Sequence, residues 1–179
     1  MTLPITTYGN KILREKATPV IDINDEIRQL VENMFETMYA SNGVGLAAEQ
    51  VGRTESLCII DIPPDAEKEK CIEKTVSAGM PLVLINPQII ASEGEQRDEE
   101  GCLSFPQIGV QITRADQVTV SFTDLEGIRK TVSACGLLAR AVQHELDHLD
   151  GVLLVDRMNS VQKLAVSGKL KRLQKENNR

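Results

Sequence analysis

Residues 136–149, GLLARAVQHELDHL, decide how this chain is organised, because they hold both of its histidines in the pattern H-E-x-x-H. We predict that this stretch is helical and ends at the Asp150–Gly151 pair. Residues four apart share one face of a helix, so His144 and His148 can bind one metal ion. Glu145 stands where a general base for a metal-bound water is needed. Two histidines on an ordinary amphipathic helix are the alternative interpretation.

An apolar stripe leads along the same helix to the histidines. Leu137, Ala141, His144 and His148 follow one another at i, i+4, i+7 and i+11, so they lie on one face. A substrate side chain lying along this helix would therefore meet an apolar surface immediately beside the reactive ion.

The remaining sequence predicts an α+β fold in a single domain, residues 1–179. Hydrophobic residues make up 41% of the chain, which is enough for one core in a protein of this length. Asn24 can cap an amphipathic helix over 25–40. The expected strands are 56–62, 82–85 and 88–91, together with an antiparallel hairpin of 117–123 and 128–134. Between them we expect a loop or tight turn at 41–52 and an exposed polar excursion at 63–80.

The charge distribution argues against a general nucleic-acid binder, since the net charge is -6 and the isoelectric point is about 5.0. Segment 160–179 differs from the rest of the chain. It holds six basic residues against the single acid Glu176, a net +5, which leaves -11 for the remainder. We expect this tail to be helical and weakly amphipathic, and to behave as a separate electrostatic unit.

The cysteines and the first residues indicate the compartment. The four cysteines form no C-x-x-C pair, and the sequence has neither an apolar stretch long enough to span a membrane nor a signal peptide. A reducing, cytoplasmic setting is the expectation. We expect Cys58 in the core, Cys71 at the surface, and Cys135 in either environment.

A catalytic metal site commonly has three protein ligands, and the chain has no third histidine. Glu176 lies in the basic tail and is a poor candidate. Asp150, Asp156 and a cysteine remain open. Cys102 lies in the segment EEGCLSFP, where the glycine permits close backbone approach, but spacing alone does not select it.

Three segments together resemble the peptide deformylase family. They are GVGLAAEQ at 43–50, EGCLS at 100–104 and QHELDH at 143–148, and their order and separation also match the family. The resemblance implies antiparallel or mixed sheets packed around a central metal-binding helix, with one N-terminal and one C-terminal helix. It also implies removal of the formyl group from the N-terminal formylmethionine of newly made polypeptides, by attack of a metal-bound water.

Carried onto this chain, the resemblance implies a role for each residue of the site. The metal would be Fe2+, replaceable by Ni2+, Co2+ or Zn2+, and its ligands would be Cys102, His144 and His148. Glu145 would be the general acid/base, with the Gln50 side chain and the Leu103 N–H stabilising the oxyanion. The substrate would be bound by Val44, Gly45, Gly101, Leu137 and Ala141. Arg140 would either rim this pocket or face solvent.

The resemblance also implies partners and leaves alternatives. N-formylmethionyl nascent peptides would be the substrates, and the basic tail 160–179 could contact the ribosome, whereas no membrane and no sequence-specific nucleic acid is expected. Many family members carry an arginine after the cysteine motif that holds the downstream peptide, but 107–113 contains no charge here. The alternatives are an H-E-x-x-H metallopeptidase with a different third ligand, and a family member that binds metal without turnover.

Overall fold

The computed structural model describes residues 1–177. Its helices are α1 (Asp25–Ala40), α2 (Ile72–Ala78), α3 (Gly136–Leu149), α4 (Leu154–Arg157) and α5 (Ser160–Asn177). Its strands are β1 (Gly45–Ala47), β2 (Leu57–Ile60), β3 (Leu82–Glu93), β4 (Gln96–Gly101), β5 (Gly109–Arg114), β6 (Gln117–Thr123) and β7 (Arg129–Cys135). The predicted α+β class is confirmed.

Two antiparallel sheets frame the metal-motif helix. One has five strands in the order β1-β2-β3-β6-β7, and the other is the two-stranded pair β4-β5. The predicted hairpin is confirmed as β6 and β7, paired from Gln117–Cys135 to Thr123–Arg129. The two short strands expected at 82–85 and 88–91 are one strand, β3, with an irregularity at Pro87 where the pairing register shifts.

Helix α1 forms because its N-terminus is capped and one face is apolar. Asn24 Oδ1 accepts a hydrogen bond from the Ile27 N–H at 3.1 Å, as the sequence predicts. The apolar face is buried against β1 and β2, with Met34 and Met38 fully covered. The segment 41–52 that follows contains β1 and a 3₁₀ turn at Ala48–Val51, so it is more regular than the loop we expected.

Most residues of 63–80 are exposed, as expected, but the segment also packs against the core. The segment contains α2, and it buries Glu67, Cys71 and Thr75, which are 8%, 0% and 1% exposed. Cys71 is fully buried and joined to Cys135 by a disulfide, so its expected surface position is wrong. The sequence pattern concealed this packing because two of the three buried residues are polar and the apolar periodicity is weak.

The basic tail is helical, as expected, and two of its leucines pack into the core. Helix α5 buries Leu170 and Leu173 in a cluster with Leu13 and Phe105, while Leu164 is 76% exposed. Its lysines point outward, and Arg179 lies outside the described residues. Among residues 1–177, no helix combines the length and apolarity that crossing a membrane requires.

Candidate metal centre

The structure brings Cys102, His144 and His148 together. Cys102 follows β4, and the two histidines lie one turn apart on α3. One potential ligand atom from each residue lies within 4.8 Å of the others, and Cys102 Sγ is 3.3 Å from His148 Nε2. A thiolate and two imidazoles form a donor set that suits zinc, iron and other first-row metals. Asp150 and Asp156, which the spacing left open as ligands, pair instead with Lys16 and Arg14.

His144 is oriented by a buried ion cluster. Its Nδ1 lies 3.0 Å from Glu100 Oε2, which leaves Nε2 to face the other two ligand atoms. Glu100 also accepts hydrogen bonds from Arg114 at 2.8 and 3.0 Å and from Arg140 at 2.6 Å. Burial acts to raise the pKa of Glu100, but the hydrogen bonds from Arg114 and His144 outweigh it and hold that pKa well below its usual value. Glu100 is therefore a fixed anion that sets the tautomer of His144.

Arg140 is part of this cluster and does not face solvent, so of its two expected positions the structure supports the one at the pocket. The residue is 4% exposed, and its guanidinium donates to Glu100 and to the Ile112 carbonyl at 3.0 Å. It also contributes to the wall of the groove in front of the ligands. Its side chain is buried because it carries one of the two cations that neutralise Glu100.

Glu145 is buried beside the ligands without a hydrogen-bond partner for Oε2 among the described residues. It is 4% exposed, and burial raises the pKa of its carboxyl to about 7. The backbone of Gly45 runs directly past it, because a Cβ at that position would overlap Glu145 Oε1. A carboxyl with this pKa can both accept and return a proton near neutral pH.

Gln50 holds its amide group toward the thiol. Its Oε1 accepts the Ala47 N–H at 2.9 Å, and its Nε2 lies 3.2 Å from Ser104 Oγ and 3.5 Å from Cys102 Sγ. The amide orientation is therefore fixed by two neighbours, and the NH2 group faces the site.

A groove of about 680 Å³ runs over the ligands. Among its lining residues are all of the predicted substrate-contacting and oxyanion residues: Val44, Gly45, Gln50, Gly101, Leu103, Leu137 and Ala141. Cys102, His144 and Glu145 also line it, while His148 is buried beneath. A larger groove of about 880 Å³ follows the opposite side of α3, near Gln143 and Asp147, and none of the three ligands lines it.

Sequence reasoning missed three buried residues around the site. Arg114 takes the third inward position of β5, after Val110 and Ile112, so the strand alternation itself marks it as buried. Glu49, next to Gln50, is fully buried, and neither carboxylate oxygen has a hydrogen-bond partner among the described residues. Glu67 binds the start of α3 from a segment that appeared solvent-exposed.

Comparisons with known proteins agree on one family. The family model described as polypeptide deformylase matches residues 2–164. The peptide deformylase of Acidobacterium capsulatum is 42% identical over 175 residues, covering 98% of this chain and 97% of that protein. The peptide deformylase of Roseiflexus castenholzii is 49% identical over 157 residues, covering 86% and 85%.

Solved structures give the same result. The crystal structure of a peptide deformylase from Legionella pneumophila superposes with a TM-score of 0.84 at 35% identity, covering 100% of this chain and 99% of that one. A peptide deformylase from Synechococcus elongatus in complex with actinonin gives 0.81 at 39% identity, covering 93% and 85%.

Proposed function

The chain belongs to the peptide deformylase family, enzymes that remove the N-terminal formyl group from nascent peptides, and from this premise we propose a role for each residue of its site. One observation carries the proposal: a thiol, two imidazoles and the buried carboxyl of Glu145 converge at the base of an apolar-walled groove, and Glu145 Oε2 has no hydrogen-bond partner among residues 1–177. We assign residues 1–179 to one catalytic domain.

We propose that Cys102, His144 and His148 hold a divalent metal ion, with Fe2+ as the natural ion and Ni2+, Co2+ or Zn2+ as substitutes. The donor set fits this role, because the contact between Glu100 and His144 Nδ1 directs the other ring nitrogen of His144 toward the thiol. A divalent ion held there would act as a Lewis acid and would lower the pKa of a water molecule bound to it toward neutrality.

Glu145 acts as the general acid/base. Its carboxyl, with a pKa raised to about 7 by burial, takes the proton of the attacking water and later returns it to the amine that leaves. The position next to His144 places this carboxyl beside the ligand group, and the close backbone of Gly45 limits how much water can surround it.

The Gln50 side chain and the Leu103 N–H stabilise the oxyanion that forms on the formyl oxygen when water attacks the formyl carbon. Gln50 is held in place by Ala47 and Ser104, so its NH2 group needs no reorientation as the charge develops. Loss of one such donor typically costs about 3 kcal/mol of transition-state stabilisation.

The groove binds the substrate as an extended chain. The backbone near Val44, Gly45 and Gly101 flanks the peptide, and Leu137 and Ala141 form the apolar wall for the methionine side chain. Residues 107–113 contain no charged side chain, so the residues after methionine find no arginine in that segment.

Release of formate from a formyl-Met peptide tests the assignment. Anaerobically prepared, iron-loaded protein should release formate and leave internal peptide bonds intact, whereas peptide cleavage without formate would favour the metallopeptidase alternative. Glu145→Gln should keep its metal and lose nearly all turnover, and full activity in this variant would remove its role. Actinonin, bound by the Synechococcus relative, should compete with the formyl peptide.

We further propose that the enzyme works in the cytoplasm and approaches the ribosome through α5. The basic side chains of this helix are exposed, while its buried positions are apolar. A truncated chain would lose core residues, so the test replaces only charges with glutamine, at Lys163, Lys171, Arg172 and Lys175. This variant should keep peptide activity and lose co-sedimentation with ribosomes at low salt. The control carries the same change at Lys11, Lys16, Lys68 and Lys74, and equal binding by both variants would contradict the proposal.

A further inference from the structure

A carboxylate from the segment 63–80 caps the metal-motif helix. Glu67 Oε1 accepts the Leu137 N–H at 2.8 Å, and its Oε2 accepts the Leu138 N–H at 3.0 Å. The first N–H groups of a helix have no partner within the helix, and Cys135 at the cap position makes no side-chain hydrogen bond to them. A residue about 70 positions earlier in the sequence therefore supplies the cap, with its negative charge at the positive end of the helix dipole.

The surroundings are built to receive this carboxylate. Glu67 Oε2 also accepts the Thr75 hydroxyl at 3.1 Å, and the residue is only 8% exposed. Gly136 has φ +59°, and a Cβ there would overlap Glu67 Oε1, so the glycine leaves the space that the carboxylate fills. The disulfide from Cys71 to Cys135 joins the same two segments immediately beside the cap.

The capped turn forms part of the substrate groove. Leu137 lines the groove and Leu138 is fully buried in the main core, so the two amides that Glu67 binds fix one wall of the site. His144 lies seven residues further along α3, two helical turns from Leu137. A substitution at Glu67 should therefore disturb the groove wall at Leu137 more than it disturbs the metal ligands.

We propose that Glu67 is a positioning residue for substrate specificity: it holds Leu137 in the wall that receives the side chain of the formylated residue. This inference rests on the proposed function. In a reducing cytoplasm Cys71 and Cys135 would be thiols, and the hydrogen bonds of Glu67 would then tie this segment to the start of α3 without help from the disulfide. Glu67 should therefore contribute more to the stability of the first turn of α3 in reduced protein than in oxidised protein.

Hydrogen exchange tests the cap without any metal or substrate. Removal of a cap costs about 1 kcal/mol, which corresponds to about a fivefold change in local opening. In metal-free, reduced protein, Glu67→Ala should raise exchange of the 136–142 amides about fivefold and leave 143–149 unchanged. Thr75→Val should also raise exchange of the 136–142 amides, by a smaller factor. Glu69→Ala, a substitution at an exposed neighbour of Glu67, is the control.

Kinetics test the effect on the groove. With formyl-Met peptide, Glu67→Ala should raise KM about fivefold while kcat changes less than about twofold. A formyl-Ala peptide, whose side chain is too short to reach Leu137, should keep its kcat/KM. Glu67→Gln retains one acceptor oxygen, so its KM should lie between those of the wild type and the alanine variant. The glutamine variant therefore allows the test even if the alanine variant folds poorly.

Three results separate the possibilities. Unchanged exchange of 136–142 in Glu67→Ala would overturn the proposal. Equal losses with both peptides, accompanied by loss of metal, would also overturn it by showing a general structural role. If wild-type protein releases no formate from any formyl peptide, the proposed function fails, while the exchange measurement still decides whether Glu67 holds the start of α3.

Discussion

Replacement of Glu49 by glutamine should raise the stability of the protein relative to wild type as the pH rises from 4 to 7. Glu49 lies in the 3₁₀ turn before Gln50, is 0% exposed, and has no hydrogen-bond partner for either carboxylate oxygen among the described residues. Burial, with a smaller effect from the charge of Glu145, raises the pKa of this carboxyl from 4.5 to about 8. At pH 7 the side chain is therefore neutral in the folded protein and ionised in the unfolded chain.

The sign and size of the effect follow from this difference in pKa. The folded state keeps a proton that the unfolded chain loses above about pH 4.5, so stability falls as the pH rises from about 4.5 to about 8. At pH 7 the cost to the wild type is about 3 kcal/mol, since one pKa unit corresponds to about 1.4 kcal/mol. Glutamine is neutral at every pH. The stability of the glutamine variant relative to wild type should therefore rise by about 3 kcal/mol between pH 4 and pH 7. The cost of burying its amide does not depend on pH, so it does not change this rise.

Urea denaturation followed by circular dichroism, repeated at several pH values, measures this difference. The exposed Glu15→Gln variant is the control, and it should differ from wild type by less than about 0.5 kcal/mol at each pH. If the Glu49→Gln difference stays flat between pH 4 and pH 7, the carboxyl is ionised in the folded protein, and the assignment of a neutral buried acid is wrong.

Three further substitutions test the site. Cys102→Ala should be isolated without metal, measured by elemental analysis, and full metal content would overturn the ligand assignment. Arg140→Met leaves Glu100 with one cation fewer in a buried site and should cost about 3 kcal/mol in urea denaturation. A loss below about 1 kcal/mol would show that Arg114 alone suffices. Ala141→Leu should narrow the groove and raise KM for formyl-Met peptide about tenfold at unchanged metal content, and an unchanged KM would place the methionine elsewhere.

The sequence predicted those parts of the molecule in which neighbouring residues repeat a pattern. Helix α1, helix α3 and the hairpin of β6 and β7 each carry their own periodicity and cap or turn residues, and the structure confirms all three. The candidate site was assembled from motifs in which chemistry restricts the residue type. Choosing Cys102 over the aspartates required the resemblance, since spacing did not distinguish them.

Polar contacts between distant segments could not be predicted from the sequence. Glu67 and Arg140 each bind a partner at least 40 positions away, and no local pattern distinguishes a buried charged residue from an exposed one. The sequence therefore did not reveal that Glu67 is buried within the mostly exposed segment 63–80, and it left two positions open for Arg140. Helix α5 was predicted to be weakly amphipathic, and this agrees with its two buried side chains, Leu170 and Leu173.

Helix α5 also determines when a newly made copy of this protein can begin to work. Leu170 and Leu173 share a core cluster with Leu13 and Phe105, so residues far apart in the order of synthesis must meet before that cluster closes. The Phe105 N–H donates to the Cys102 carbonyl at 2.9 Å, which ties the cluster to the turn that carries the thiol. We therefore expect each copy to become active only after Leu173 has left the ribosome.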